Sequence, residues 1–252
     1  MRNLKRLFLL IFCSVFMQQA VELGIFDKDS IECAQKYVKW ADLIVVDLDN
    51  TVMYSANVSE ANCQWCDVAE QRLQEKGFTK AEAFQKMVFG YIFFNAQAKM
   101  VPTEDAFVDF IHQVQSLGIR VIAITGRPDV MRNVTVEKLA DIGVDLFSGF
   151  EQCDFKQLNG THFIEGVIYN GYVGSPKKGE SLKLFLETMK INPRNILMID
   201  DRWHCLESVQ TYLPAVNFVG IRYGRCDQAF KSFVPTQEML DYIDQELSKA
   251  TL

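Results

Sequence analysis

The 252-residue chain has no internal repeat and no low-complexity block, so solenoid arrays and linker-like polymers are excluded. It has no run of lysines and arginines. With a net charge of −6 and a pI near 5.2, that argues against a general nucleic-acid binder or a patch for anionic membranes. The apolar run Leu7 to Met17 is too short to span a bilayer comfortably as a mature helix. What remains is ordinary for a globular protein: 49% hydrophobic and 23% charged residues, enough to bury one substantial core.

Arg2, Lys5 and Arg6 precede that apolar run and Gln18-Gln19-Ala20 follows it, the pattern of a secretory signal peptide. Removing residues 1–20 takes three positive charges and no negative one from a chain of net charge −6, leaving −9. It also removes Cys13 and leaves six cysteines, an even count that permits disulfides in an exported protein. The expected organisation is a signal peptide over 1–20 and one domain over 21–252. The product would be exported, periplasmic or secreted, with no stable membrane anchor after cleavage.

The chain is organised around Leu43-Ile44-Val45-Val46-Asp47-Leu48-Asp49-Asn50-Thr51. Four apolar residues read as a buried strand, and two carboxylates follow at its carboxyl end, where α/β proteins hold their ligands. Close carboxylates repel unless a cation neutralises them, and a hard divalent ion, Mg²⁺, suits oxygen ligands. A solvated acidic turn explains the same stretch taken alone.

Helical spacing then runs from Asp27 to Trp40, with Ile31, Ala34, Val38 and Ala41 on one face. Residues 52–57 read as a loop roofing the site. Helices are predicted over Glu60 to Lys76, stopped by Gly77, and from Thr79, with Glu82 in a capping box. Phe84, Met87, Val88, Tyr91 and Ile92 on the latter read as packing. A further helix starts near Thr103, and His112 on it reads as structural. Ile119 to Ile124 is a second buried strand, closing in Thr125-Gly126-Arg127, a hydroxyl, a flexible glycine and a cation suited to an oxyanion. A helix over Asp129 to Ile142 and a short strand over Val144 to Phe147 follow.

Residues 148–177 suggest a small hairpin of Phe163-Ile164 and Val167-Tyr169 with Asn170-Gly171 as its turn, and His162 at the surface. Lys177-Lys178-Gly179 precedes a helix over Glu180 to Lys190. Ile196 to Ile199 is a third apolar strand ending in acids, Asp200-Asp201. A strand over Val216 to Ile221 and a helix over Gln237 to Lys249 complete the chain. Strands alternating with helices mean an α/β fold with a doubly wound parallel sheet.

Three strand ends thus carry Asp47/Asp49, Thr125 and Asp200/Asp201, with a lysine before an intervening helix. In that order they resemble the four motifs of the haloacid-dehalogenase-like (HAD) hydrolases over roughly residues 40–225. The first motif is Asp47-Leu48-Asp49-Asn50-Thr51, the second Thr125, the third Lys178 with Lys177 as runner-up, the fourth Asp200-Asp201. Asp-Leu-Asp-Asn-Thr-Val followed by Ile-Thr-Gly-Arg is similar, more finely, to exported bacterial acid phosphatases. The resemblance implies a Rossmann-like core with a small helical cap insert at about 52–102 and a small hairpin insert at about 148–177. It implies a Mg²⁺-dependent phosphatase acting on a phosphorylated small molecule or phosphoprotein through an aspartyl-phosphate. Asp47 would be the nucleophile and Asp49 the general acid and base. Asp47, Asp201 and the Asp49 carbonyl would hold Mg²⁺ with Asp200 in support, and Thr125, Gly126 and Lys178 would bind the phosphoryl group. The alternatives are a non-catalytic metal- or phosphate-binding module, and redox chemistry at Cys63-Gln64-Trp65-Cys66, against which a local disulfide or idle pair is set.

Overall fold

The structure is a computed structural model that describes residues 21–146, 153–154, 161–171, 175 and 177–250. Residues 1–20, where a signal peptide is expected, and most of the stretch 147–160 lie outside the described residues.

Ten strands are described: β1 (Gly24–Lys28), β2 (Leu43–Val46), β3 (Met53–Ser55), β4 (Met100–Pro102), β5 (Arg120–Thr125), β6 (Cys153–Asp154), β7 (His162–Ile164), β8 (Val167–Tyr169), β9 (Asn195–Asp200) and β10 (Asn217–Tyr223). The helices are α1 (Cys63–Glu75), α2 (Lys80–Gln97), α3 (Asp105–Ser116), α4 (Arg132–Asp141), α5 (Lys178–Thr188), α6 (Trp203–Tyr212), α7 (Asp227–Ser232) and α8 (Gln237–Tyr242), the last continuing as a π-helical turn over Ile243–Leu247. The main sheet has the order β1-β10-β9-β2-β5-β8-β7-β6. Its first six strands are mutually parallel; β7 runs antiparallel to β8, and β6, antiparallel to β7, takes the direction of the first six again.

Strand β2 lies at the centre because all four of its residues are apolar and buried, which only a strand covered on both faces requires. Its side chains alternate. Ile44 and Val46 join the core with Phe107, Phe110 and Ile111 of α3, whereas Leu43 and Val45 join Leu182 and Phe185 of α5 and Leu206 of α6. That is the doubly wound α/β arrangement expected of the sequence.

A third core lies outside the sheet. Trp65, Ala69 and Leu73 of α1 and Ala83, Met87 and Tyr91 of α2 pack against Met239, Ile243 and Leu247. The capping box of α2 is present as expected, with Thr79 and Glu82 satisfying each other's backbone donors.

Several boundaries differ from expectation. Asp27 and Lys28 belong to β1, an edge strand paired with β10, and the helix after it is a short 3-10 turn, Ile31–Tyr37. β1 is short and carries no alternation, its burial running from three half-buried residues to two exposed ones, so nothing local marks it as a strand. Residues 53–55 form an antiparallel pair with β4 instead of a loop. Of the short strand expected over Val144 to Phe147, residues 144–146 are not in a strand, and Phe147 lies outside the described residues. The hairpin turns at Glu165-Gly166, both at positive φ, the type I′ requirement, and not at Asn170-Gly171. Any side chain at 166 would strike the Leu146 carbonyl at 1.9 Å. Asn170 instead runs on beside β5, its N–H donating to the Thr125 carbonyl at 3.0 Å. Because β8 pairs parallel with β5, the hairpin extends the main sheet and is not a separate appendage.

Candidate active site

The carboxyl ends of β9, β2 and β5 lie side by side, with Val46 in register with Ile199 on one side and Ala123 on the other. Each therefore delivers its next residues to one place. After β2 the chain makes a tight reversal, in which Val52 and Met53 N–H both return to the Leu48 carbonyl and Asn50 takes a left-handed φ of 62°. The reversal aims Asp47 and Asp49 into one cavity of about 310 Å³. Thr51 ties this turn to β9: its hydroxyl donates to Asp47 Oδ2 at 3.3 Å and accepts from Asp201 N–H at 3.1 Å.

Lys178, the first residue of α5, reaches the floor of the cavity. Its ammonium donates to Asp47 Oδ1 at 2.5 Å and to Asp200 Oδ2 at 2.7 Å. Close helix packing makes this possible, because a side chain at Gly179 would meet the Ser208 carbonyl of α6 at 2.2 Å. Lys177 is exposed, so Lys178 is the lysine that faces the carboxylates.

Asp47, Asp200 and Asp201 place ligand oxygens within 4.8 Å of one another. Burial raises the Asp47 carboxyl to about 8. Lys178 pulls it down, while Asp200, Asp201 and Asp49 push it further up. Burial, then Asp200, raises Asp201 to about 6. One lysine thus leaves excess negative charge on a cluster of hard oxygen donors, and this fits a divalent cation such as Mg²⁺.

Asp49 is held differently. Arg127 grips it with two hydrogen bonds, Nε to Oδ2 at 2.8 Å and Nη2 to Oδ1 at 2.7 Å, and the Tyr91 hydroxyl donates to Oδ1 at 2.9 Å. Burial favours the neutral acid, but the Arg127 charge and these bonds outweigh it and hold Asp49 below the usual carboxylate range. Its side chain stands apart from the Asp47, Asp200, Asp201 group.

The second motif is placed less simply. Gly126 borders the cavity, but Thr125 is fully buried and its hydroxyl accepts from the Arg127 N–H at 3.2 Å. Arg127, expected to suit an oxyanion, is spent on Asp49. Tyr91 reads from the sequence as packing alone, yet its hydroxyl reaches the site as well. A polar residue within the apolar stripe of α2 was the available signal. His112 bonds the Gly143 carbonyl at 2.7 Å, and His162 pairs with Asp129 at 2.5 Å instead of standing free at the surface.

Cys63 and Cys66 open α1 and line the same cavity with Cys205. Burial, then the nearby Asp49 charge, pushes both Cys63 and Cys66 thiols well above the ordinary value, the reverse of what a redox pair needs. Each unit of increase cuts the thiolate fraction about tenfold. At pH 8, iodoacetamide should therefore alkylate Cys63 and Cys66 at least about tenfold more slowly in the folded chain than in the denatured one. Peptide mapping that finds equal rates would restore the redox reading.

Comparison with known proteins gives three findings. Over 159 residues, 63% of this chain, it is 26% identical to a Chlamydia pneumoniae protein provisionally named as an outer membrane protein. The match spans 59% of that relative's length. A solved substrate-bound phosphoserine phosphatase superposes with a TM-score of 0.38 at 15% identity, covering 76% of this chain and 98% of that one. No helix among the described residues is long and apolar enough to cross a membrane. The model of a family described as protein of unknown function, DUF2608, matches residues 28–251, and the chain belongs to that family.

Proposed function

We propose that the protein is a HAD-like, Mg²⁺-dependent phosphatase that hydrolyses phosphate monoesters through an aspartyl-phosphate. The observation that carries this reading is the ammonium of Lys178 set between Asp47 and Asp200 beside Asp201, at the carboxyl ends of adjacent parallel strands. A carboxylate nucleophile needs a neighbouring cation both to accept a dianionic phosphate and to offset its own charge. Here that cation sits at the first turn of α5, where backbone N–H groups also favour an anion.

In the first half-reaction an Asp47 oxygen bonds to phosphorus as the bond to the leaving oxygen breaks, and Asp49, which starts ionised against Arg127, takes the proton of a monoanionic ester and passes it to that leaving oxygen. In the second, water attacks phosphorus, the acyl-phosphate bond breaks to return the Asp47 carboxylate, and Asp49 takes the water's proton. The products are an alcohol and inorganic phosphate. Lys178 and the backbone around Thr125 and Gly126 hold the phosphoryl oxygens. Asp47, Asp201 and the Asp49 carbonyl would hold Mg²⁺, with Asp200 supporting, and the ion supplies charge stabilisation to the phosphoryl group.

The helices over 63–97 act as the cap in this reading. Phe84, Met87 and Val88 wall a cavity suited to a small leaving group, so a phosphorylated small molecule fits better than a phosphoprotein. An exported location agrees with the name of the Chlamydia relative and with the expected signal peptide.

The acid role is tested by the leaving group. A nitrophenolate departs with little help, whereas an alkoxide needs a proton in the transition state. Asp49→Asn should therefore slow phosphoryl-enzyme formation from glycerol phosphate by ~10²–10⁴-fold, and from p-nitrophenyl phosphate far less. Single-turnover measurement isolates this step. Equal loss with both esters would remove Asp49 from the acid role.

A further inference from the structure

Arg127 is almost wholly buried, and a buried guanidinium must find acceptors for its fork of donors. Two of its bonds go to Asp49. The others come from opposite sides: Nη2 donates to Asn95 Oδ1 of α2 at 3.0 Å, and Nη1 donates to the Thr135 hydroxyl of α4 at 3.2 Å. The Tyr91 ring lies 5.7 Å from the guanidinium carbon.

Asn95 is itself fully buried, and its orientation is determined by what surrounds it. Its Nδ2 donates to the Tyr91 carbonyl at 3.0 Å and to the Ala61 carbonyl at 3.5 Å. Only the carbonyl end of the amide is left to face Arg127. Thr135 is equally buried and rides on a helix of the main domain. The plane of the guanidinium is thus fixed between the helical segment and the sheet domain, and that plane sets the direction in which Asp49 points.

Resting on the phosphatase reading above, we propose that Asn95 and Thr135 are positioning residues. They orient Arg127, and through it Asp49, so that seating of α2 on the domain is a condition for aiming Asp49 at the leaving oxygen. Neither residue borders the cavity, so neither touches substrate. Their loss leaves the nucleophile, Lys178 and the carboxylate cluster in place and lets the Asp49 carboxyl swing. A displacement of about 1 Å at such a group costs up to about 10²-fold in rate.

The test uses the full mature chain carrying Asn95→Leu or Thr135→Val. Formation of the phosphoryl-enzyme is followed with glycerol phosphate and with p-nitrophenyl phosphate. In each variant the single-turnover rate with glycerol phosphate should fall about 10- to 10²-fold, with p-nitrophenyl phosphate less than about threefold, and KM should stay near the wild-type value. A merely structural role would lower both esters together. Equal loss with both, or no loss in either folded variant, overturns the proposal. Should Asn95→Leu fail to fold by circular dichroism, Thr135→Val decides alone from the opposite side of the guanidinium. Wild-type protein that hydrolyses neither ester overturns the phosphatase reading and this proposal with it. Wild-type protein that hydrolyses both, with unchanged variants, overturns this proposal alone.

Discussion

Asp47→Asn should reduce turnover of every phosphate ester to background, whatever the leaving group. A carboxamide cannot form the acyl-phosphate, so no better leaving group can compensate. The residual rate would reflect only binding and the surrounding charges, against an uncatalysed hydrolysis that is among the slowest reactions known. The substitution also removes a negative charge from a crowded cluster. The variant should fold and melt at least as high as the metal-free wild type, which separates lost chemistry from lost structure. Phosphate release measured with an alkyl and an aryl ester checks this, and retained turnover in Asp47→Asn would place the nucleophile elsewhere. If the wild type binds Mg²⁺ yet hydrolyses nothing, the chain is a metal- or phosphate-binding module.

The second large effect is a metal-linked stability that grows with pH. In the folded chain Asp47 titrates at about 8 and Asp201 at about 6, both above the ~3.9 of an unfolded aspartate. A carboxyl whose folded pKa is raised favours the folded state fully below the unfolded pKa, and that contribution is lost as pH rises through the folded values. Metal-free protein should therefore lose thermal stability between pH 5 and 8.5. Asp49 and Asp244 are shifted the other way, Asp244 to about 2, so their contributions change only in more acidic solution. Mg²⁺ competes with the protons on Asp47 and Asp201, so its stabilisation should increase over the same window. At 100-fold over its Kd it contributes ~2.7 kcal/mol, roughly 5–10 °C in Tm for a domain of this size. Melting curves of wild type, Asp47→Asn and Asp201→Ala with and without Mg²⁺ isolate the contribution of this cluster. A wild-type Tm unmoved by millimolar Mg²⁺ at pH 8, or moved equally in Asp201→Ala, would remove the metal from this cluster.

Much of this was legible in the residues. A run such as Ile44-Val45-Val46 has one stable setting, a strand covered on both faces, and its following acids then lie at the strand's carboxyl end. Asp200-Asp201 after β9 and Lys178 before α5 obey the same rule, so local pattern carries the floor of the site. Its roof was not legible. Tyr91 and Asn95 lie among Phe84, Met87 and Val88, and a periodicity that predicts a buried face does not say which buried residue meets a charge. Arg127 follows a strand end as an anion ligand would, and only tertiary geometry shows that its anion is Asp49. From the sequence β8 reads as part of an appended hairpin, because two three-residue strands carry no signal of which neighbour they extend.

The helical segment that roofs the site depends on residues nearly at the other end of the chain. Ile243 and Leu247 fill the core beneath Trp65 and Leu73, a side chain at Gly90 would meet Leu247 at 3.3 Å, and Arg72 pairs with Asp244 at 2.8 Å. The apolar face that α1 and α2 share is only partly covered by their mutual packing and by Met131, and Met239, Ile243 and Leu247 complete it from far along the chain. Such long-range closure is slow compared with local helix formation. The wall above Asp47 and Asp49 is therefore sealed by contacts as far as 172 residues apart in sequence, as between Arg72 and Asp244, and forms later than the local helices it is built from.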